Sequence, residues 1–289
     1  MSQQPGGLIG LVSQHTSEEP PVTPPERYGQ RLLSPDSSDE LARLTALERI
    51  SDDDTIRCLE KIQLGPDARC LEIGAGAGSV ASWLAGVVGP TNVTATDVDT
   101  RFLTPLAQMG VEVVRHDVVT DPPPGGEFDL IHIRHVLEHL PSRDGLIRKL
   151  GSWLSEGGWL VVEAGFHIPG IAGHPAHARQ KAARAQLLAE KIGTDLTWAT
   201  TLPAPLAAAG LADIQLQGSL RPCRGATESS DFDRLTLLSM SEDLVGVGLM
   251  SRQEVDEALE LYENPAFVDY SAGAVAAWGR RPPRPEESR

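Results

Sequence analysis

The chain has 289 residues, 40 of them acidic and 25 Lys or Arg, and its formal net charge of −15 argues against DNA or RNA as a partner, because phosphate backbones are held by clustered Lys and Arg. That length suffices for one large α/β domain with an elaboration. Three cysteines, Cys58, Cys70 and Cys223, stand at no metal or redox spacing, and the N-terminus has no basic stretch followed by an apolar core, so a cytoplasmic protein with reduced thiols is expected.

Residues 1–25 contain five prolines and three glycines with few large apolar side chains, and read as a tail. Residues 26–64 read as a helical cap: Leu41, Leu44, Leu47 and Ile50 recur at helical spacing, and Ile56, Leu59 and Ile62 fall on a second helix capped by residues 51–54. The core begins at Gly65 and Pro66. Residues 70–73 form a short buried strand containing Glu72, followed by Gly74, Gly76 and Gly78 at every second position and then a helix over 79–88. Glycines let the chain turn sharply there and let a ligand lie against bare backbone. Residues 92–97 make a β-branched strand ending in Asp97, where doubly wound folds hold a ribose diol, so a nucleoside-containing ligand is expected. The uncharged run 73–96 is broken by five glycines, Pro90 and Asn92 into pieces too short to cross a bilayer, and no membrane partner is expected.

A third strand falls at 111–117 with Asp117 at its end, a fourth at 128–134, and a fifth follows the turn Leu154-Ser155-Glu156-Gly157-Gly158. Strands alternating with helices predict a parallel sheet covered on both faces, with ligands at the carboxyl ends of the strands. This places Gly74 to Gly78, Asp97, Asp117, Arg134 and His135 on one rim. Beyond it come a Gly- and His-rich stretch at 165–175, a helix over 176–192, a short helix at 202–209 stopped by Gly210, and a sixth strand at 214–217. A helical lid insertion at about 222–268 follows, with Leu235, Leu238 and Leu244 and then Val255, Leu259 and Tyr262 as its apolar positions, before a last strand at 274–279; 282–289 is a second tail.

The pattern Glu72-x-Gly74-x-Gly76-x-Gly78, with Ser79 where a nicotinamide-binding motif has its last glycine, resembles motif I of the class I S-adenosylmethionine-dependent methyltransferases, and the later segments match that family in order. Glu156, in place of the usual proline, is a departure confined to a turn. The resemblance implies a doubly wound, Rossmann-like, seven-stranded α/β sheet over residues 65–281 with an antiparallel last strand, and S-adenosyl-L-methionine as cofactor. It implies Glu72, Gly74, Gly76 and Gly78 at the methionyl part, Asp97 with Val98 at the ribose, Asp117 with Val118 at the adenine, and Arg134 on the rim. Tyr28 and Arg31 of the cap are candidates to reach the cofactor carboxylate through a hydroxyl or guanidinium, the alternative being ordinary surface residues on a loop.

Methyl transfer from a sulfonium is an in-line displacement, and a hydroxyl or protonated amine acceptor also needs a base. His135, ending the fourth strand, is the first candidate; His139, one turn later beside Glu138, orients or replaces it; His167, after the fifth strand, is the third. His132, inside the strand, reads as a packed core group. A metal site from His135, Glu138 and His139 with His167 or His174 is the weaker alternative, and no metal is expected. The acceptor expected is a small, largely apolar metabolite, with a homodimer left open. Competing readings keep the fold but use the bound sulfonium for cyclisation or decarboxylation, or make the domain a non-catalytic module or a dinucleotide oxidoreductase.

Overall fold

Among the described residues, seven strands make one sheet: β1 (Cys70–Ile73), β2 (Val93–Asp97), β3 (Glu112–Arg115), β4 (Phe128–Arg134), β5 (Leu154–Phe166), β6 (Ala212–Arg224) and β7 (Val268–Arg280). The computed structural model describes residues 26, 28–168 and 170–283. The tail expected at 1–25 lies outside the described residues, as do residues 284–289 of the second. Spatial order is β3-β2-β1-β4-β5-β7-β6. β1 through β5 are parallel to their neighbours, and β7 runs antiparallel to both β5 and β6. This is the seven-stranded sheet with an antiparallel last strand that the motif order implied.

Helices α1 (Glu40–Glu60), α2 (Ser79–Val88) and α3 (Thr104–Gln108) flank the first strands; α4 (Arg143–Ser152), α5 (Pro175–Ile192) and α6 (Ala204–Ala208) follow, and α7 (Glu228–Gly246) and α8 (Arg252–Glu263) fill the lid. Central parallel strands are buried on both faces, which is why all four residues of β1 are buried. Side chains alternate between faces. Leu71, Ile73, Ile131 and Ile133 pack with α4 and α6 through Ile147, Leu150 and Leu206. Cys70 and Leu130 face the other way, onto Cys58 and Leu59 of α1 and Leu84 of α2. The lid has its own core, in which Leu187, Leu237, Met240, Val255 and Tyr262 enclose Leu32 and Leu33 of the cap.

Three local expectations need correction. The cap is one continuous helix, not two, because Asp52 and Thr55 find partners on neighbouring elements instead of capping their own chain. In α7 the buried stripe is Leu237, Met240 and Leu244, whereas Leu238 is exposed. β6 and β7 are each 13 residues long and pair up to Arg224 and Val268, so the sixth and seventh strands reach into stretches expected to be lid.

Candidate active site

The glycine corner is built by close approach. Gly74 has φ +70°, and a Cβ there would lie 2.3 Å from Val136 Cγ2. The Gly74 and Ala75 amides both donate to the Thr96 carbonyl at 2.8 and 2.9 Å, which folds the corner back over the end of β2. Gly76, at φ +60°, donates its amide to Asp97 Oδ2 at 3.0 Å, and Asp99 N donates to the other carboxylate oxygen at 3.1 Å. Burial lifts the Asp97 pKa, and the backbone amides of Gly76, Asp99 and Val98 oppose that rise.

At the carboxyl ends of the parallel strands lies a cleft of about 780 Å³, within the size range of small-molecule sites. Ten of the fourteen cofactor and catalytic candidates from the sequence line it: Tyr28, Gly74, Gly76, Asp97, Val98, Asp117, Val118, Arg134, His135 and His139. Val98 is 53% exposed, an apolar side chain left open on the wall. Leu44 and Leu47, read from the sequence as apolar positions of the cap helix, also line the cleft, and Phe102, Val119 and Leu140, which escaped sequence reading, join them. A lone apolar residue in a helix or loop carries no periodic mark that separates a ligand wall from a core.

Glu72, Gly78 and His167 do not line the cleft. Gly78 serves packing: its Cβ would lie 2.9 Å from Leu106 Cδ1. His167 leaves β5 toward the lid and bonds through its amide to the Leu196 carbonyl; burial first, then Lys181 and Arg184, hold its pKa down. Arg31 turns to Asp243 and Glu26 instead of the cleft.

Glu72 belongs to a buried charge relay beneath the cleft. His132 Nδ1 lies 2.7 Å from Glu72 Oε2 and its Nε2 2.9 Å from Glu163 Oε1. Burial alone opposes a charge on His132, but the two carboxylates outweigh it and push the imidazole up to about 9. Glu163 also accepts from Thr55 Oγ1 at 3.1 Å, and Arg134 Nη1 donates to Thr55 Oγ1 and Asp52 Oδ1, each at 2.9 Å. Asp52 accepts from Ser79 Oγ, and Glu48 Oε1 from Ser79 N at 3.0 Å. Two acids of α1 thus cap α2, whose own N-cap is the side-chain-less Gly78. Tertiary contact alone reveals this, because Glu48, Asp52 and Thr55 on a helix look like a solvated face in sequence.

At the end of β4 the backbone of His135 adopts φ +55°, an uncommon conformation for a residue other than glycine. Its Nδ1 lies 3.3 Å from Glu138 Oε1, which also accepts from Gly165 N at 2.9 Å. Burial favours protonation of Glu138, yet His135, His139 and the Gly165 amide together hold its pKa down. His139 shares Nδ1 with Thr194 Oγ1 at 2.9 Å and packs on Tyr28 with ring centroids 4.6 Å apart. Burial, reinforced by His135, Arg43 and Arg143 against the pull of Glu138, drops the His139 pKa to about 4. The Tyr28 hydroxyl accepts from Arg43, itself paired with Glu40.

Among the described residues, His177 of α5, Cys223 of β6 and Asp233 of α7 bring their donor atoms within 4.8 Å of one another. Arg184 and Ser271 take the Asp233 oxygens at 2.8 and 2.7 Å, and Tyr262 and the Tyr270 carbonyl take both His177 nitrogens. The cluster is a satisfied hydrogen-bond network, and its neighbouring cations oppose a metal ion.

Residues 42–216, more than half of the chain, match the profile of the methyltransferase domain family. The chain belongs to that family. This methyltransferase domain is 33% identical over 106 residues to methyltransferase str3 of Strobilurus tenacellus and 33% over 109 residues to methyltransferase str2 of the same organism; each match takes in 36% of this chain. The chain spans 38% of the length of each of these curated relatives. Among solved structures it is similar to Haemonchus contortus phosphoethanolamine N-methyltransferase 2, bound there to phosphomonomethylethanolamine and S-adenosylhomocysteine, with 15% identity and a TM-score of 0.53 over 86% of this chain and 58% of that one. It is also similar to the YcgJ protein of Bacillus subtilis, with 17% identity and a TM-score of 0.51 over 78% of this chain and 96% of that one. At these identities the likeness shows the fold. The methyltransferase domain has no helix among its described residues long and apolar enough to cross a membrane.

Proposed function

We propose that this methyltransferase domain binds S-adenosyl-L-methionine in the cleft and methylates O, N or C of a small, largely apolar metabolite, with His135 as base for a protic acceptor. The observation that carries the reading is the single cleft that joins the bare glycine corner, Asp97 and the His135–Glu138 pair. The residues present fit the cofactor: Gly74 and Gly76 leave no side chain between ligand and backbone, and the open Val98 offers an apolar face. Asp97 would accept from the ribose diol, Asp117 and Val118 would face the adenine, and Arg134, with Tyr28 nearby, would take the carboxylate.

When bound, the cofactor supplies a methyl group on a sulfonium leaving group. Leu44, Leu140 and Val119 exclude water, which favours displacement over competing hydrolysis. The Glu138 carboxylate orients the His135 imidazole through Nδ1, leaving Nε2 to accept the acceptor's proton. His139, held well below the usual histidine range, stays neutral at pH 7 and lends the wall no charge, which suits an uncharged acceptor.

Calorimetric titration with S-adenosylhomocysteine tests the cofactor. Micromolar binding, weakened about 5- to 150-fold in Asp97→Ala by loss of 1–3 kcal/mol, is expected. Incubation of a metabolite panel with S-adenosylmethionine then separates outcomes by product mass: a methyl gain supports transfer, and an altered product without one moves the chain to the cyclisation or decarboxylation reading. A folded protein that binds no S-adenosylhomocysteine refutes the assignment.

A further inference from the structure

β6 closes the sheet on one side, and among the described residues no strand pairs with its outer edge. The β6 face toward α1 is engaged, with Gln217 accepting from Lys61 and Arg221 donating to Asp54. The opposite face is open. Leu216 is 60% and Leu220 48% exposed there, and Val268 and Tyr270 of β7 join them at 56% and 48%, opposite Arg224 and Pro222. Four of the eleven large apolar side chains exposed among the described residues therefore lie along this one strand pair, beside an unpaired strand edge. Soluble proteins usually protect such an edge with lysines, bulges or a covering element. Between the two register shifts of the β6–β7 pair, at 212–215 and 220–222, β6 pairs without interruption and carries no charged residue or proline over the six residues 215–220.

We propose that this edge is the dimer interface, with β6 pairing antiparallel to β6 of a second copy about a two-fold axis through Gly218. Such an axis, perpendicular to the sheet, keeps every side chain on its own face. Leu216 then meets Leu220 of the second copy, twice by symmetry, on the apolar face. Gln217 meets Ser219 on the polar face, and Gln215 meets Arg221. No like charges oppose each other, and the antiparallel order brings the Asp213 end of one strand to the Arg221 and Arg224 end of the other. β6 holds one acid and two arginines in a chain of net charge −15, so two copies repel least along it. The cleft, at the carboxyl ends of strands on the far side of β5 and β7, stays open in such a dimer.

Sedimentation velocity of the full chain from 1 to about 100 µM tests the interface. A concentration-dependent dimer is expected, with Leu216→Glu/Leu220→Glu raising its Kd at least tenfold while S-adenosylhomocysteine titration or the unfolding midpoint shows the fold intact. Gly218→Cys reads the axis directly. All three native cysteines are buried, and an added Cβ at Gly218 has nothing within 4 Å, so mild oxidation is expected to link two copies through one exposed thiol pair. Asp256→Cys on exposed α8 serves as the control and should stay unlinked. A chain that remains monomeric at about 100 µM, a dimer indifferent to the leucine substitutions, or equal linking of the control overturns the proposal.

Discussion

His132→Leu removes the imidazole held between two buried carboxylates, and its cost follows from the geometry. His132 is wholly buried, with Glu72 at 2.7 Å and Glu163 at 2.9 Å. Breaking a buried pair by removing one partner costs about 3–5 kcal/mol, because the charge left behind has no water to return to. Linkage gives a similar size: a histidine moved from 6.5 to about 9 on folding contributes about 3 kcal/mol. Since the folded pKa is the higher one, that contribution is complete below pH 6.5 and is lost as pH rises through about 9. Urea unfolding followed by tryptophan fluorescence should therefore show His132→Leu about 3–5 kcal/mol less stable at pH 6–7, with the gap narrowing by pH 10. Adding Glu72→Gln and Glu163→Gln should recover much of the loss, because no buried charge then remains. A loss under about 1 kcal/mol at pH 7, or a gap that does not narrow with pH, would refute the charged relay.

His139 titrates with the opposite sign: its folded pKa of about 4 lies below 6.5, so its contribution is present above pH 6.5 and lost as pH falls toward 4. His139→Asn should flatten that acid limb in pH-dependent unfolding. Gly74→Ala combines left-handed strain of about 1–2 kcal/mol with the Val136 overlap, so S-adenosylhomocysteine affinity should fall at least about tenfold. Val136→Ala in the same chain should restore only the steric part, and full restoration would show that strain is unimportant. His135→Ala should lower turnover on a protic acceptor by about 10²–10⁴ with cofactor affinity intact. Glu138→Gln should lower turnover less and shift its pH profile; unchanged turnover in His135→Ala removes the base.

Local pattern was enough for the sheet, the glycine corner and most of the cleft wall. Strands β1 and β2 are short runs stopped by glycine and by acid, β4 runs into the basic pair Arg134 and His135, and Asp97, Asp117 and Arg134 sit at or just past strand ends, which the parallel topology must bring to one rim. The short-range signal also misled where side chains had distant partners. Residues 51–54 read as a helix break and cap, but α1 runs through them as one helix, and Asp52 and Thr55 tie it to Ser79 and Arg134.

Glu72 was placed by its motif at the cofactor, yet strand alternation turns it onto the face of α1, where His132 meets it from the adjacent strand. His132, read as a core group, is a core group held charged by partners 60 and 31 residues away. The sequence by itself determined the order of strands and turns, because periodicity, glycine and β-branched residues act over a few positions. Only the tertiary structure decided which acids are buried, which histidines reach the cleft and which edge of the sheet stays open, since each depends on residues remote in the chain lying within a few ångströms.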